Sequence, residues 1–393
     1  MVQTQKQQQT KVKVPALFDR YIIFAVFCLI SIGLIMVASA SMVISEKVFH
    51  QPFHFLMRQI IFLGLGLLMM FFIVRVSIEI WQRFAPILFV LGLLSLVLVL
   101  VPGIGHVVNG SRRWVGLGPI ALQVSEFVKL AIILYMAGYL VRRQEEVRTR
   151  VLGFIKPMAL LGLIALLLLM EPDFGATVVV FCTIMSMMFM AGVRLRQFVI
   201  LLTVVVVAFA LLAISAPYRL ERLTTFINPW ANPYGSGYQL TQSLIAFGRG
   251  GWFGVGLGES VQKLFYLPEA HTDFLFAVLA EELGLFGVLI VISLFCLLIF
   301  RILLIARRAQ LRGKLYAAYC AYGMAVWLGM QAVVNMGVNA GILPTKGLTL
   351  PLMSYGGSSL LIDCIAIGIL LRIDHETRVD VLGLNQPRYV RHK

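Results

Sequence analysis

The segment Pro268-Glu269-Ala270-His271-Thr272-Asp273-Phe274 runs directly into an apolar stretch that continues to Phe300. It sets a carboxylate at the seam between a long polar loop and a run long enough to cross a bilayer core, which takes about 20 apolar residues. Working outward, runs of the same kind cover 21–43, 54–74, 81–101, 121–141, 155–171, 174–192, 197–216, 315–340 and 350–372, which with 274–300 predicts about ten crossings. Composition agrees: 60% of the 393 residues are hydrophobic and 13% charged, against roughly 45–50% and about 25% in a soluble domain. The expected fold is all-α, a polytopic integral membrane protein of about ten transmembrane helices with one large extracytoplasmic loop, 217–272. A carboxylate at the lip of a membrane, beneath a loop rich in glycine and aromatic residues, fits chemistry on a substrate that is itself lipid-anchored.

The net charge of +15 would suggest nucleic acid in a soluble chain, but its placement excludes that reading. With the N-terminus inside, most Lys and Arg fall in cytoplasmic segments, including the clusters Arg142-Arg143-Arg148-Arg150 and Arg307-Arg308-Arg312-Lys314. This positive-inside bias predicts both termini in the cytoplasm. Ala38-Ser39-Ala40 imitates a signal-peptidase site, yet the run from Tyr21 to Val37 exceeds a usual signal core, and a retained first helix is expected. Cys28, Cys182, Cys296, Cys320 and Cys364 all fall in apolar runs without paired spacing, which implies neither disulfides nor a metal knuckle.

Residues 1–15 are polar and read as a disordered cytoplasmic tail, 380–393 as a second tail, and 16–379 as a single transmembrane domain. Within the loop 217–272, aromatics such as Trp230, Tyr234, Trp252, Phe253 and Tyr266 argue for order, with short amphipathic helices such as 239–247 at the interface.

Charges inside a bilayer are costly and mark function by default. Glu126 and Lys129, at i and i+3, share a helix face, either as a structural ion pair or as the lining of a cavity. Glu171-Pro172-Asp173-Phe174-Gly175 taken alone is a tight turn. Asp363 has no cation one helical turn away, and Glu281-Glu282 lies two turns into the eighth span. The glycines between Gly248 and Gly258 lack a Gly-Lys-Ser/Thr ending, which excludes a nucleotide loop and leaves close passage of backbone to lipid head groups. Pro344 to Pro351 and Ser354 to Ser359 predict a polar external loop followed by a broken helix start, tolerated at membrane depth only where it lines protein or water. Neither a Ser/His/Asp hydrolase nor a zinc site has supporting spacing.

Five separated motifs in order, Asn109-Gly110-Ser111-Arg112-Arg113-Trp114, Gln123-Val124-Ser125-Glu126-Phe127-Val128-Lys129, Glu171 to Gly175, Pro268 to Phe274, and Ser354-Tyr355-Gly356-Gly357-Ser358-Ser359, resemble the SEDS family (shape, elongation, division and sporulation) from about Leu17 to Val379. Lys346-Gly347-Leu348-Thr349-Leu350-Pro351 resembles its division branch, and Asp363 lies outside the family motifs. The resemblance implies a peptidoglycan glycosyltransferase of the cytoplasmic (inner) membrane, at the division septum. Such an enzyme polymerises lipid II into glycan strands on the outer face, alongside a monofunctional class B penicillin-binding transpeptidase and divisome regulatory membrane proteins. It implies Asp273 as the essential carboxylate, and chemistry agrees, since an inverting transfer to a sugar hydroxyl needs a base for the hydroxyl proton. The diphosphate leaving group needs cations or a divalent metal such as magnesium or manganese. Arg112, Arg113, Arg249 and Lys346, with Lys129 deeper, are the candidate cations, and Glu126, Asp173, His271 and Ser354 in the motifs are further substrate-binding candidates. A lipid II flippase is the alternative, and it predicts charges along the full membrane depth. A scaffold without a reaction leaves Asp273 and the Glu126/Lys129 pair without a purpose.

Overall fold

The computed structural model describes residues 18–103, 105–108, 111–117, 120–214, 226–344 and 347–379. Both tails, the first part of the expected loop and Lys346 lie outside them. In chain order the helices are α1 (Arg20–Phe49), α2 (His54–Ile73), α3 (Ile78–Leu100), α4 (Val124–Arg142), α5 (Gln144–Thr149), α6 (Val151–Met170), α7 (Phe174–Met190), α8 (Leu195–Ile214), α9 (Tyr238–Gly250), α10 (Leu275–Leu311), α11 (Leu315–Asn339) and α12 (Gly357–Val379). Each expected apolar run carries one helix, and α5 and α9 fall between runs. Seven of them, α1 to α4, α6, α10 and α11, are long and apolar enough to cross a membrane, and α7 is a shorter apolar helix.

The centre of the bundle is α4, α10, α11 and α12. Trp327, Lys129, Ile132, Ile133, Leu134 and Met136 are among the largest fully buried side chains, whereas α2, α3 and α6 turn leucines, isoleucines and phenylalanines outward, as a lipid-facing helix does. Two polar ties fix the register of α1 against α10. Asp19, which caps α1 by accepting from the Tyr21 and Ile22 N–H groups, is paired with Arg301. Ser39 donates to Glu282 at 2.6 Å. At 1.5 Å per residue each helix covers about 30 Å between its two ties, the thickness of a hydrocarbon core.

Three observations correct the sequence reading. An antiparallel three-stranded sheet, β1 (Gly105–Val108), β2 (Ser111–Leu117) and β3 (Ile120–Gln123) in the order β1-β2-β3, precedes α4, although no strand was expected. Its signal was the Asn109-Gly110 pair between two short segments, the residue pair that type I′ hairpins favour. Next, α10 continues to Leu311, because Arg301, Arg307 and Arg308 extend it past its apolar run.

The third correction concerns the glycine-rich segment, which meets protein backbone. Helix α10 breaks at Gly284 (φ 65°, ψ −165°), a conformation essentially restricted to glycine. The break strands the Glu281 and Glu282 carbonyls and the Leu285 and Phe286 N–H groups. The 250–256 hairpin enters it: the Val255 and Gly256 N–H groups donate to those carbonyls at 3.0 and 3.2 Å, and the Leu285 and Phe286 N–H groups donate to the Gly251 and Trp252 carbonyls at 2.9 and 3.1 Å. These four backbone groups are thereby satisfied, as a buried helix interruption requires. The expected amphipathic segment 239–247 is α9, packed on α10 and α11 through Leu240, Thr241, Ser243 and Ala246.

Candidate active site

Asp273 lies one residue before the cap of α10, and its backbone is clamped by α11. The Asn335 and Asn339 side-chain amides both donate to the Asp273 carbonyl, at 2.8 and 2.9 Å. Asn339 also accepts from the Ala277 N–H at 3.0 Å, filling one of the donors that the first turn of a helix leaves open. Asn335 donates in addition to the Leu348 carbonyl at 2.6 Å. One amide thus holds the Asp273 loop and the 347–355 segment together. Glycine at 347 permits this approach, since a Cβ there would stand 2.7 Å from Asp273 Oδ2. The half-buried Asp273 carboxyl is pushed up to about 7 by burial, with Glu269 and Asp173 acting in the same direction and Arg113 opposing.

The neighbouring motifs converge on this carboxylate. Arg113, from β2, donates to the Glu171 carbonyl at 3.1 Å and the Pro172 carbonyl at 2.7 Å. The turn it grips presents Asp173, which caps α7 through the Ala176 N–H at 3.1 Å and accepts from the Ser125 hydroxyl at 3.0 Å. Glu171 is fully buried, and burial, followed by the Asp173 charge and against Arg113, pushes its carboxyl up to about 8. His271 packs against the rings of Phe55 and Tyr355, at 4.6 and 5.5 Å, which also touch each other at 5.1 Å, and its carbonyl accepts from the Tyr355 N–H at 3.0 Å. Burial lowers the imidazole pKa against the pull of Glu269, which favours the neutral ring.

Below Asp273, Glu126 and Lys129 form a buried pair. Lys129 Nζ stands 2.9 and 2.8 Å from the two carboxylate oxygens and donates to Gln331 at 2.7 Å. Trp327 donates to the same Gln331 oxygen at 3.0 Å, and Gln331 donates to the Thr349 carbonyl at 3.1 Å. Gln331, Asn335 and Asn339, four residues apart on one face of α11, form a polar ladder from Lys129 to Asp273. The sequence reading singled out none of the three. A recurring amide at i, i+4 and i+8 inside an apolar run was the available signal.

Other expected residues are engaged elsewhere. Arg249 pairs at 3.3 Å with Glu281, which also accepts from Ser260 and from the Val261 and Gln262 N–H groups. Arg112 is exposed on β2. The Ser354 hydroxyl accepts from the Leu350 N–H at 2.9 Å, and its carbonyl from Gln59 at 3.1 Å, so both shape the 350–355 turn. Lys346 lies outside the described residues. Among the described residues no three His, Cys, Asp or Glu side chains converge to hold a metal ion on protein ligands. Among the described residues, Arg113 is the cation that acts electrostatically on the Asp273 carboxyl.

A family model described as cell cycle protein, covering FtsW, RodA and SpoVE, matches residues 19–379. The chain belongs to the FtsW/RodA/SpoVE family. It is therefore a multi-pass protein of the inner membrane. Relatives from Legionella pneumophila (60% identical over 369 residues, 94% of each chain) and Coxiella burnetii (60% over 360 residues, 92% of this chain and 97% of the relative) both carry the name "Probable peptidoglycan glycosyltransferase FtsW". A chain solved in a peptidoglycan synthase complex, described for its structural coordination of polymerization and crosslinking, superimposes with a TM-score of 0.77 at 31% identity, covering 92% of this chain and 98% of that one. The rod shape determining protein RodA of Thermus thermophilus gives 0.67, also at 31% identity, over 91% of this chain and 97% of its own. All five sequence motifs fall inside the matched region.

Proposed function

We propose that this FtsW/RodA/SpoVE member is a peptidoglycan glycosyltransferase that polymerises lipid II during septal wall synthesis, with Asp273 as general base. The observation that carries the reading is the Asp273 carboxylate itself. The backbone carbonyl of the same residue is held by two amides, and the carboxyl is raised by burial to about 7 against the pull of Arg113. The 4-hydroxyl of the acceptor N-acetylglucosamine attacks C1 of the donor N-acetylmuramyl unit from the face opposite the diphosphate. Asp273 takes the hydroxyl proton as the new glycosidic bond forms, and undecaprenyl diphosphate leaves with inversion at C1. A base poised near the working pH suits this role. Arg113, whose Nε and Nη2 hold the Glu171 and Pro172 carbonyls, would contribute its positive charge toward the diphosphate as negative charge develops there. A divalent ion, where one takes part, would be held largely by the substrate's own phosphates.

The positive-inside bias supports both termini in the cytoplasm and the Asp273 end of the bundle outside, where the lipid II head group is presented. The solved relative in a synthase complex supports a transpeptidase of the class B penicillin-binding type as partner. The test is polymerisation of purified lipid II by the purified chain, with and without that transpeptidase, with translocation of labelled lipid II followed in parallel. Glycan product is expected. Translocation without polymer would favour the flippase.

A further inference from the structure

We infer that Asp363 is a positioning residue for the chemistry at Asp273: it holds, through the Leu352 N–H, the turn that walls the site, an inference that rests on the glycosyl-transfer reading. Asp363 sits in the apolar body of α12 with 0% exposure, and no step of the reaction uses it. Its Oδ2 accepts from the Leu352 N–H at 3.0 Å, while Oδ1 is buried without a hydrogen-bond partner among the described residues. A carboxyl group at that depth is costly unless it serves a purpose.

The purpose is visible in Leu352. It follows Pro351 and has φ 64°, the left-handed region that side-chain-bearing residues avoid. An acceptor anchored in α12 holds the Leu352 amide in that conformation. From Leu352 the turn reaches the site in two directions. Toward the N-terminus, Leu348 shares the Asn335 amide with Asp273, and Gly347 abuts the carboxylate. Toward the C-terminus, the Tyr355 N–H donates to the His271 carbonyl at 3.0 Å. Gln59 on α2 fixes the opposite side of the turn, donating to the Ser354 carbonyl at 3.1 Å and accepting from the Gly356 N–H at 3.3 Å. Release of Leu352 therefore moves the wall beside Asp273 and the anchor of its loop together. Asp363 also lies within electrostatic reach of Glu126 and Lys129, so a role through charge is the rival that the test must separate.

The test uses the purified full chain with its transpeptidase partner, assayed on lipid II. Asp363→Leu removes the acceptor, and displacement of the site by about 1 Å lowers kcat about 10- to 100-fold with KM for lipid II little changed. Asp363→Asn keeps an oxygen that accepts from Leu352 and is expected to work near the wild-type rate. Leu352→Gly added to Asp363→Leu restores kcat, because glycine adopts this φ without a clamp. A merely structural or charge-balancing role would not respond to that second change. The inference is overturned if folded Asp363→Leu polymerises at the wild-type rate, or if glycine at 352 restores nothing while Asn is as damaging as Leu. Should Asp363→Leu fail to fold, Asp363→Asn decides: full rate supports the clamp, and a folded but slow Asn variant overturns it. Wild-type protein that makes no polymer overturns the glycosyltransferase reading and this inference together, which sets that failure apart from one confined to the variants.

Discussion

Asp273 is a carboxylate whose ionisation is set by its surroundings. Burial first, then Glu269 and Asp173, raise it to about 7 against the pull of Arg113, so the proton-accepting form grows as the pH rises through neutrality. Values of kcat/KM for lipid II polymerisation should therefore climb with pH, about tenfold per unit well below the inflection, and level off above it. A profile flat from about pH 5 to 8.5 would remove a base of this kind from the rate-limiting step. Asp273 was legible in the sequence because an acidic residue at the seam of a loop and an apolar run has few structural explanations. The Arg113 and Asp173 positions were legible through motifs, although their joint electrostatic effect on Asp273 was not. Asn335 and Asn339 escaped notice because they carry no charge, and the recurrence of amides along α11 signals a polar face without saying what that face meets. Their importance comes from a carbonyl some sixty residues upstream, and no local pattern reports which distant carbonyl an amide will meet.

At the level of elements, the loop between α9 and α10 is fastened to the bundle by a buried ion pair. Lys263 Nζ lies 2.8 Å from Glu282 and 2.9 Å from the Ser39 hydroxyl, joining the loop to α10 and α1 at once. Removing Lys263 alone leaves Glu282 charged and buried, which costs about 3–5 kcal/mol. Lys263→Met should therefore lower the thermal stability of the purified protein markedly, and adding Glu282→Gln should recover much of the loss. A thermal-shift measurement in detergent checks both, and equal melting temperatures for wild type and Lys263→Met would show that the pair does not fasten the loop. The sequence placed the helices well, since ten hydrophobic runs leave little choice of element. It misjudged the glycines between Gly248 and Gly258, because a close approach to lipid and a close approach to backbone ask for the same residue. Only the break at Gly284, with its four open hydrogen-bonding groups, decides between them.

For the whole molecule, the ties at Asp19–Arg301 and Ser39–Glu282 bracket about 30 Å of α1 and α10, so the Asp273 end stands beyond one edge of the hydrocarbon. On the topology proposed above, the bias of Lys and Arg would make that edge the outer one. A cysteine at exposed Ser236 should react in intact, outer-membrane-permeabilised cells with an impermeant thiol reagent. Reaction only after lysis would invert the topology. Ser260 is a poor reporter, being buried against Glu281. This orientation and the family relationship leave one question above the others, whether Asp273 performs the proton transfer. Asp273→Asn keeps the size of the side chain and leaves the Asn335 and Asn339 contacts to the backbone carbonyl intact, but cannot accept the hydroxyl proton. The most direct measurement is the rate of glycan formation from lipid II by purified, folded Asp273→Asn beside the wild type, with lipid II binding measured on the same preparations. We expect binding to persist and the rate to fall by about 10²–10⁴; polymer made at close to the wild-type rate would contradict Asp273 as the base.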